Sequence, residues 1–299
     1  MDTIINLPSV QDYCRLLGTK AQYPLVSVID MSELPQMVHS VKNFGFYCIY
    51  YKEINCGEML YGRNKYDYEE GTMMFIGANQ IAGANDGMTV KNPKGWILMF
   101  HPDLLIGTTL AGRMKDYSFF GYDSNEALHM SDREKTIILN CFREIREELD
   151  HAIDKHTKHI VASNIETMLN HCVRFYDRQF ITREIINADI MARFDKVLSD
   201  YLNSGKAASQ GLPTVKFCAE EVCLSPNYFG DLVKKSTGTT AIEHIHLFAL
   251  KCAKTMLAET NKTVSEIAYT LGFNYPHHLT RLFKKHFKIT PMEYRAISI

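Results

Sequence analysis

The C-terminal third of this 299-residue chain contains an internal duplication, which restricts the fold of that region to two copies of one supersecondary unit. The segment TVKFCAEEVCL from Thr214 matches TVSEIAYTLGF from Thr263 at an offset of 49 residues. After one inserted residue, FGDLVKKSTGTTAIEHI from Phe229 matches LTRLFKKHFKITPMEYR from Leu279 at an offset of 50. Each copy is therefore expected to contain the same helices and the same turn.

The local signals in each copy are those of a helix-turn-helix unit. Thr263 and Glu266 form a T-x-x-E capping box that begins the first helix of the second copy, and Gly272 lies where that helix would end in a left-handed residue. In the first copy, Ser225 is a suitable N-cap for the second helix. Pro226 suits the first helical position, because the N–H that it lacks would have no partner there.

A continuous helical pattern over about residues 240–258 joins the two predicted helix-turn-helix units, which cover about residues 214–236 and 263–287. A helix of this kind would hold the two units at a fixed separation. Two such units suit two successive major grooves, about 34 Å apart, on one face of a duplex. The pattern therefore predicts a protein that binds double-stranded DNA.

These residues resemble the AraC/XylS family of transcriptional regulators over about residues 190–295, most closely in TVSEIAYTLGFNYPHHLTRLFKKHFKITPMEYR. The resemblance implies a seven-helix DNA-binding domain, here placed at 190–299, whose two recognition helices enter adjacent major grooves. It also implies an N-terminal cupin-like domain for effector sensing or oligomerisation. Lys288 stands where the family usually has Gly. If its backbone is left-handed, Lys costs on the order of 1 kcal/mol relative to Gly, and the alternative is a turn that is built differently.

Residues that face outward near the start of each recognition helix are candidates for base contacts, because that end of the helix reaches the base edges. The candidates are Asn227, Gly230, Asp231, Pro276, His277, Thr280 and Arg281. Arg281 is expected to donate to O6 and N7 of guanine, a contact worth about 1–3 kcal/mol of discrimination. A phosphate contact or a solvated side chain is the alternative for Arg281. Asn227 is expected to bind adenine, with a phosphate contact at the helix N-terminus as the alternative.

Asp231 occupies the position of Arg281 in the first copy, where DNA phosphates repel a carboxylate unless it accepts from cytosine or pairs with a lysine. The second unit is therefore expected to supply more of the affinity. A further set of residues is expected to contact phosphates: Ser225, Lys234, Lys235, Asn274, Tyr275, Lys284 and Lys285. The lysine pairs recur in register in the two copies, which favours a phosphate role over a mere solubility role.

The whole-chain charge hides this basic region. The chain has 33 Lys and Arg against 34 Asp and Glu, a formal net charge of −1. Residues 212–299 have 11 basic against 7 acidic side chains, a net charge of +4, which leaves 22 against 27 and −5 for the remainder. The chain is therefore expected to consist of an acidic regulatory part and a modestly basic DNA-binding part.

The N-terminal region is expected to be rich in strands. Between about residues 24 and 122, apolar runs are broken every 8 to 12 residues by turn-forming residues, which is typical of a small antiparallel barrel or sandwich. The runs are LVSVI, FYCIYY, EMLYG, TMMFIG and WILMF. Together with the resemblance, this pattern predicts a cupin-like β-barrel over residues 1–130. The candidates for an effector pocket are Tyr47, Arg63, Trp96 and His101.

Amphipathic helical patterns follow over about residues 131–185. Their apolar stripes either pack on the barrel of the same chain or pair with a second chain, and the residue pattern leaves both alternatives open. We interpret these helices as a dimerisation segment and therefore predict a homodimer. The expected fold is thus a multidomain α+β protein with an all-α C-terminal domain.

An enzyme and a metal site are not expected. The strand-rich region contains only His39 and His101 and no H-x-H motif, which argues against a cupin-type metalloenzyme. His244 and His246 form an H-x-H motif, but residues two apart on a helix point to different faces, so this pair is not expected to bind a metal ion. Cys218 and Cys223 are expected to be small packing residues in the first helix of the first copy. No cofactor is predicted.

The eight cysteines include no C-x-x-C pair, the N-terminus lacks the pattern of a signal peptide, and no apolar stretch reaches the ~20 residues that span a bilayer. The chain is therefore expected to be cytoplasmic and not membrane-bound. Its predicted function is sequence-specific transcription regulation under control of a small effector, with RNA polymerase as a further partner. The alternative is a regulator whose N-terminal domain serves only oligomerisation or protein contact.

Overall fold

A computed structural model describes the chain in five stretches: 4–53, 71–84, 86, 88–123 and 126–298. The chain divides into two compact units, Met1–Thr182 and Arg183–Ile299, called here the N-terminal and the C-terminal unit. The helices predicted to form a separate segment over 131–185 belong, up to Thr182, to the N-terminal unit.

The described part of the N-terminal unit contains ten strands and five α-helices. The strands are β1 (Ile5–Leu7), β2 (Val26–Asp30), β3 (Gln36–Val38), β4 (Lys42–Phe44), β5 (Tyr47–Lys52), β6 (Thr72–Ile76), β7 (Gln80–Ala82), β8 (Thr89–Lys91), β9 (Gly95–Phe100) and β10 (Leu128–His129). The helices are α1 (Val10–Leu16), α2 (Pro102–Leu105), α3 (Thr109–Arg113), α4 (Asp132–Asp150) and α5 (Thr157–Thr182). Four of the five predicted runs lie in strands, and EMLYG lies outside the described residues.

The strands form three sheets. A five-stranded antiparallel sheet has the order β10-β6-β5-β9-β2, a three-stranded sheet has the order β1-β4-β7, and β3 pairs with β8. The edge strands β10 and β2 of the largest sheet do not pair with each other. The described strands therefore form open sheets, and the closed, cupin-like barrel predicted from the sequence is not found among them.

Alternating residues on the five-stranded sheet face two different layers. Cys48 and Tyr50 of β5 belong to a core shared with α1, β1 and β4. The opposite face carries Tyr51 and Trp96, whose rings lie 6.5 and 5.9 Å from that of Phe142 in α4. Both layers are therefore apolar, and the largest sheet lies between them.

The apolar stripes of α4 and α5 are buried within the N-terminal unit, including Phe142 and Cys172, each with essentially no exposed surface. Cys172 contacts Met73 of β6. This arrangement is the packing alternative that the sequence left open, and it removes the observation on which the predicted dimerisation through these stripes depended. No helix in the described stretches is both long enough and apolar enough to cross a membrane.

The described part of the C-terminal unit is all-helical. Its helices are α6 (Glu184–Asn203), α7 (Lys206–Gln210), α8 (Val215–Glu221), α9 (Pro226–Thr237), α10 (Ala241–Glu259), α11 (Val264–Thr270), α12 (Pro276–Phe287) and α13 (Pro291–Ser298). The first half of α10, with Ala241 and Ile245, packs in a core with α8 and α9. Its second half, with Ala253 and Leu257, packs in another core with α11 and α12. The helix predicted to join the two copies is thus continuous and contributes to both cores.

Candidate nucleic-acid interface

The first helix-turn-helix unit consists of α8, a short turn and α9. The Thr214 hydroxyl accepts from the Phe217 N–H at 3.1 Å and begins α8. Cys218 is fully buried, as predicted, but the prediction for Cys223 is wrong. Cys223 lies in the turn, exposed and with a φ of +61°, because the chain must reverse there through the left-handed region.

The second unit consists of α11, its turn and α12. The predicted capping box is present: the Glu266 carboxylate accepts from the Thr263 N–H at 2.7 Å, and the Thr263 hydroxyl accepts from the Glu266 N–H at 3.2 Å. Gly272 has a φ of +87°, which confirms the predicted left-handed position. A Cβ at Gly272 would lie only 2.6 Å from the carbonyl carbon of Gly211, so this turn also requires a residue without a side chain.

Both recognition helices contain twelve residues, begin with proline and end in a left-handed residue. Gly238 ends α9 with a φ of +73°, and Lys288 ends α12 with a φ of +65°. In each case the backbone N–H of this residue donates to a lysine carbonyl, that of Lys234 or Lys284, at 2.9 Å. The backbone at Lys288 is therefore left-handed, and the lysine adopts the conformation that glycine adopts in the first copy.

The inward faces of the two helices agree with the sequence. Phe229, Leu232 and Val233 of α9 are fully buried, and so are Leu279 and Phe283 of α12. The same spacing in two helices of equal length fixes which residues are left for the outer surface.

On α12, His277 and Arg281 are exposed, whereas Pro276 and Thr280 are half-buried. The Thr280 hydroxyl donates to the carbonyl of Pro276 at 3.2 Å. Within the part of the chain that the structure describes, the Arg281 guanidinium has no hydrogen-bond or ion-pair partner. Arg281 therefore reaches the surface with its five donors unused, the state in which it can bind a base or a phosphate.

On α9, Pro226 and Asn227 are exposed, and Gly230 and Asp231 are half-buried. The outer surface of this helix thus carries an amide and a carboxylate where α12 carries an imidazole and a guanidinium. The two copies share a backbone but present different chemistry.

The predicted phosphate contacts divide into two groups. Lys234, Lys235, Lys284 and Lys285 are exposed in the second half of each recognition helix, and Asn274 and Tyr275 are exposed before α12. Ser225 differs, because only 4% of its surface is exposed and its hydroxyl accepts from the Tyr228 N–H at 3.2 Å. Its side chain is used to begin α9 and offers little surface to DNA.

Three aromatic rings form a cluster where α12 begins. The ring of His277 lies 5.5 Å from that of Tyr275, in a stacked arrangement, and 4.5 Å from that of His278. His278 was not among the predicted contacts. The sequence signal for this cluster is YPHH, which places three aromatic rings within four residues at the start of the helix.

The two histidines of the H-x-H motif have structural surroundings. His244 Nε2 lies 2.8 Å from an Asp195 carboxylate oxygen, and its ring packs at 5.0 Å from that of Phe194. Burial, followed by the charge of His286, lowers the pKa of half-buried His246. No group of three or more His, Cys, Asp or Glu side chains that could hold a metal ion occurs among the described residues.

The N-terminal unit contains a cavity of about 160 Å³ between its sheets. Tyr47, Trp96 and His101 do not line it. Tyr47 and Trp96 face the opposite side of the five-stranded sheet, where the Tyr47 ring stacks at 5.1 Å from that of Phe100. His101 Nδ1 accepts from the Asp103 N–H at 3.2 Å, and this side chain therefore caps the start of α2. Arg63 lies outside the described residues.

Comparison with known proteins places the C-terminal unit among helix-turn-helix proteins. The pattern that defines the family described as "Helix-turn-helix domain" matches residues 218–297. An uncharacterized HTH-type transcriptional regulator of Escherichia coli, YijO, is 28% identical over 44% of this chain and 44% of its own length. The lactose operon transcription activator of Staphylococcus xylosus is 28% identical over 38% of this chain and 37% of its own length.

A solved structure from Chromobacterium violaceum, described as a transcriptional regulator with an AraC-type DNA-binding domain, is 28% identical. The match covers 29% of this chain and 77% of the chain from Chromobacterium violaceum, with a TM-score of 0.28. The chain spans less than half the length of the two regulators of E. coli and S. xylosus that it matches.

Proposed function

The C-terminal unit of this chain is a helix-turn-helix domain of the AraC type, and we propose that the whole chain is a sequence-specific regulator of transcription. One observation carries the proposal. Two recognition helices of equal length bury equivalent apolar faces and leave equivalent lysine pairs exposed. Both helices pack against α10, as expected of two units that bind one duplex together.

The roles of the outer residues follow from their chemistry. Lys234, Lys235, Lys284 and Lys285 supply contacts to phosphates, which give affinity without sequence preference. Arg281, whose guanidinium has no partner among the described residues, supplies a bidentate contact to guanine. The first unit, with Asn227 and Asp231, contributes less affinity and more selectivity.

We further propose that a small effector bound in the N-terminal unit controls DNA occupancy or contact with RNA polymerase, and that the active form is a homodimer. The cavity between the sheets supports the effector, since it lies in the unit that carries no DNA-binding helices. The alternative is an N-terminal unit that serves only oligomerisation or protein contact. The proposed activity is regulatory and not enzymatic.

The DNA-binding proposal is tested with the full-length chain and a library of genomic fragments. Selected fragments are titrated at several salt concentrations, and the affinity is expected to fall steeply as salt rises, with a slope of about 0.9 for each neutralised phosphate. The double variant Lys284→Ala, Lys285→Ala should reduce this slope by about two. The exposed lysine Lys115 of the N-terminal unit provides the control, and Lys115→Ala should leave the slope unchanged. Binding that is absent or insensitive to salt would contradict the proposal.

Effector control is separated from its alternative by thermal unfolding in the presence of candidate compounds. A compound that binds the native protein at 100 times its dissociation constant should stabilise it by about 2.7 kcal/mol. The chain has one tryptophan, Trp96, which lies in the N-terminal unit, so its fluorescence reports the unfolding of that unit. A screen in which no compound shifts this transition would favour the oligomerisation alternative.

A further inference from the structure

The cavity of the N-terminal unit has a mostly apolar lining that includes several aromatic rings. It lies between the three-stranded sheet and the inner face of the five-stranded sheet, and its walls include Phe44, Tyr50, Met74 and Ile76. A cavity of about 150 Å³ lined by apolar side chains is large enough for benzene. With about 160 Å³, this cavity therefore accommodates an apolar body of about six carbon atoms.

Lys42 is the unusual residue in this lining. It occupies an inward-facing position of β4, on the same side as Phe44, and only 8% of its surface is exposed. Its Nζ donates to the carbonyl oxygen of Ser40 at 3.1 Å and lies 6.0 Å from the centre of the Tyr13 ring. An ammonium group has three donors, and no acidic side chain pairs with this one among the described residues.

Such a placement is costly without an anionic partner, because a buried charge loses its hydration. Burial lowers the pKa of Lys42, and the opposing effect comes from the thiol of Cys48 and not from a carboxylate. A lysine on an inward strand position is among the least common buried residues. Its presence beside a cavity suggests that the missing partner is a molecule that enters the cavity.

The other charged groups that line the cavity already have partners or reach solvent. His39 Nδ1 lies 3.0 Å from the Asp86 carboxylate, and a Glu126 carboxylate oxygen accepts from the Asp123 N–H at 2.7 Å. Asp123 is itself exposed, and Lys52 is half-buried and has an interaction partner. The charge left for a ligand to satisfy is therefore positive and lies at Lys42.

The rim of the cavity is apolar as well. Val38 and Ile81 both line the cavity, yet they are 55% and 56% exposed. Exposed apolar side chains at the rim of a pocket favour the entry of a molecule with an apolar body.

We propose that this cavity binds a small monocarboxylate, with the carboxylate paired to the Lys42 ammonium and an apolar body of about six carbon atoms against the apolar part of the lining. The inference rests on the proposed effector control, for which it names the chemical class of the effector. A bound carboxylate supplies the acceptors that the unused donors of Lys42 lack, in charge-assisted hydrogen bonds.

The test is calorimetric titration of the full-length protein with benzoate and hexanoate, each matched with its neutral amide, benzamide and hexanamide. Acid and amide have nearly the same shape and differ in charge. We expect the acids to bind at least ten times more tightly than their amides. Equal affinities, or no binding of either acid at millimolar concentration, would overturn the proposal.

The variant Lys42→Met keeps the length and the apolar part of the side chain and removes the charge. In this variant the preference for acid over amide should disappear. Lys20→Met removes the charge of an exposed lysine away from the cavity and should leave the preference intact. Unchanged acid binding by Lys42→Met would overturn the proposal, and if this variant does not fold, the comparison of acids with amides in the natural protein still decides.

The same protein preparation is assayed for DNA binding without any ligand. If the natural protein shows no preference for the acids over their amides but binds DNA, the carboxylate inference alone is rejected. Acid binding without DNA binding rejects the proposed regulator instead. The two failures are therefore distinguishable.

Discussion

The two helix-turn-helix units of the C-terminal unit share a backbone and differ in the side chains placed on it. Each begins with a threonine cap, turns through a left-handed residue, and ends its recognition helix in a second left-handed residue. At the surface of that helix, Asp231 in the first unit occupies the position of Arg281 in the second. Caps and buried residues thus maintain the fold of both copies, while the outer residues are free to diverge in function.

The left-handed positions show the same divergence in the backbone itself. Gly272 in the second unit corresponds to Cys223 in the first, and Gly238 in the first corresponds to Lys288 in the second. Each unit therefore has one glycine and one residue with a side chain at its two left-handed positions. Of the two glycines, Gly272 is also closely packed, against Gly211 and Leu212, whereas Gly238 is not.

The largest expected effect comes from Gly272→Ala. The alanine would have to adopt the φ of +87° that Gly272 has. Its Cβ would lie 2.6 and 2.7 Å from backbone atoms of Gly211 and Leu212. The left-handed conformation costs about 1–2 kcal/mol and the overpacking a further 1–3 kcal/mol. Native-state hydrogen exchange of α11 and α12 measures this loss.

Gly238→Ala is the matched control for Gly272→Ala, because Gly238 has a φ of +73° and no atom within 4 Å of a built Cβ. It should lose only the conformational part, about 1–2 kcal/mol. Trp96 fluorescence should show an unchanged N-terminal unit in both variants. If the two substitutions cost the same, the close packing around Gly272 has no energetic weight.

The next effect concerns DNA and tests the difference between Asp231 and Arg281. Arg281→Ala should lose about 1–3 kcal/mol of discrimination at one or two adjacent base pairs. Lys285→Ala should weaken binding to all sequences about equally. Asp231→Ala should leave the preference read by the second unit intact and slightly raise overall affinity, since a carboxylate near phosphates is removed. Selection from a randomised duplex library measures all three.

Identical specificity profiles for Arg281→Ala and Lys285→Ala would contradict the base-contact role of Arg281. A loss of specificity in Asp231→Ala at positions distinct from those of Arg281 would instead show that the first unit reads bases through its carboxylate. Either result would redefine how the two copies divide affinity and selectivity.

Sequence reasoning succeeded where the signals are local. The capping box of Thr263 with Glu266 depends on residues within one turn of helix, so the pattern itself identified it. The helix end at Lys288 was indicated by the resemblance, because the family usually has Gly there, and its left-handed backbone is a finding of the structure. Cys223 was misplaced even though its alignment with Gly272 predicts a left-handed turn residue. The repeat contained that signal, and the hydrophobic character of cysteine obscured it.

The N-terminal unit was harder to predict because its outcome depends on distant strand pairs. Whether β2 and β10 close a barrel is not encoded in either strand alone. Residue type alone indicates Tyr47 and Trp96 as pocket candidates, but strand alternation places them on the face away from the cavity. Lys42 gave no local signal, since its inward position follows only from the pairing of β4 with β1 and β7.

A smaller effect is expected at the end of the second recognition helix. Lys288→Gly should stabilise α12 by about 1 kcal/mol, because glycine adopts a positive φ without the cost that a Cβ imposes. The reciprocal change Gly238→Lys should destabilise α9 by a similar amount. Lys288→Ala is the control: it removes the same charge and the Nζ hydrogen bond to the Lys285 carbonyl, but retains a Cβ. An equal gain in Lys288→Ala would show that charge, and not backbone conformation, is the cause.

The smallest effect distinguishes the two units by pH. Hydrogen bonds from the Thr263 N–H and then from its hydroxyl hold the pKa of Glu266 below its ordinary value. Phe217 occupies the corresponding position in the first unit. Because the folded pKa is below the unfolded one, the capping box stabilises α11 above the ordinary glutamate pKa of about 4.3, and this stabilisation is lost as pH falls from there through the folded value.

Glu266→Gln keeps an acceptor in the box and removes the titrating group. Hydrogen exchange of α11 should therefore depend less on pH below about 5 in this variant than in the natural protein. The exchange of α8, which begins at Thr214 without a glutamate partner, should be the same in both proteins. Glu259→Gln, at the end of α10 and outside any capping box, is the control and should retain the acid sensitivity of α11. If α8 and α11 lose protection in parallel as pH falls, the capping box does not set the acid sensitivity of the second unit.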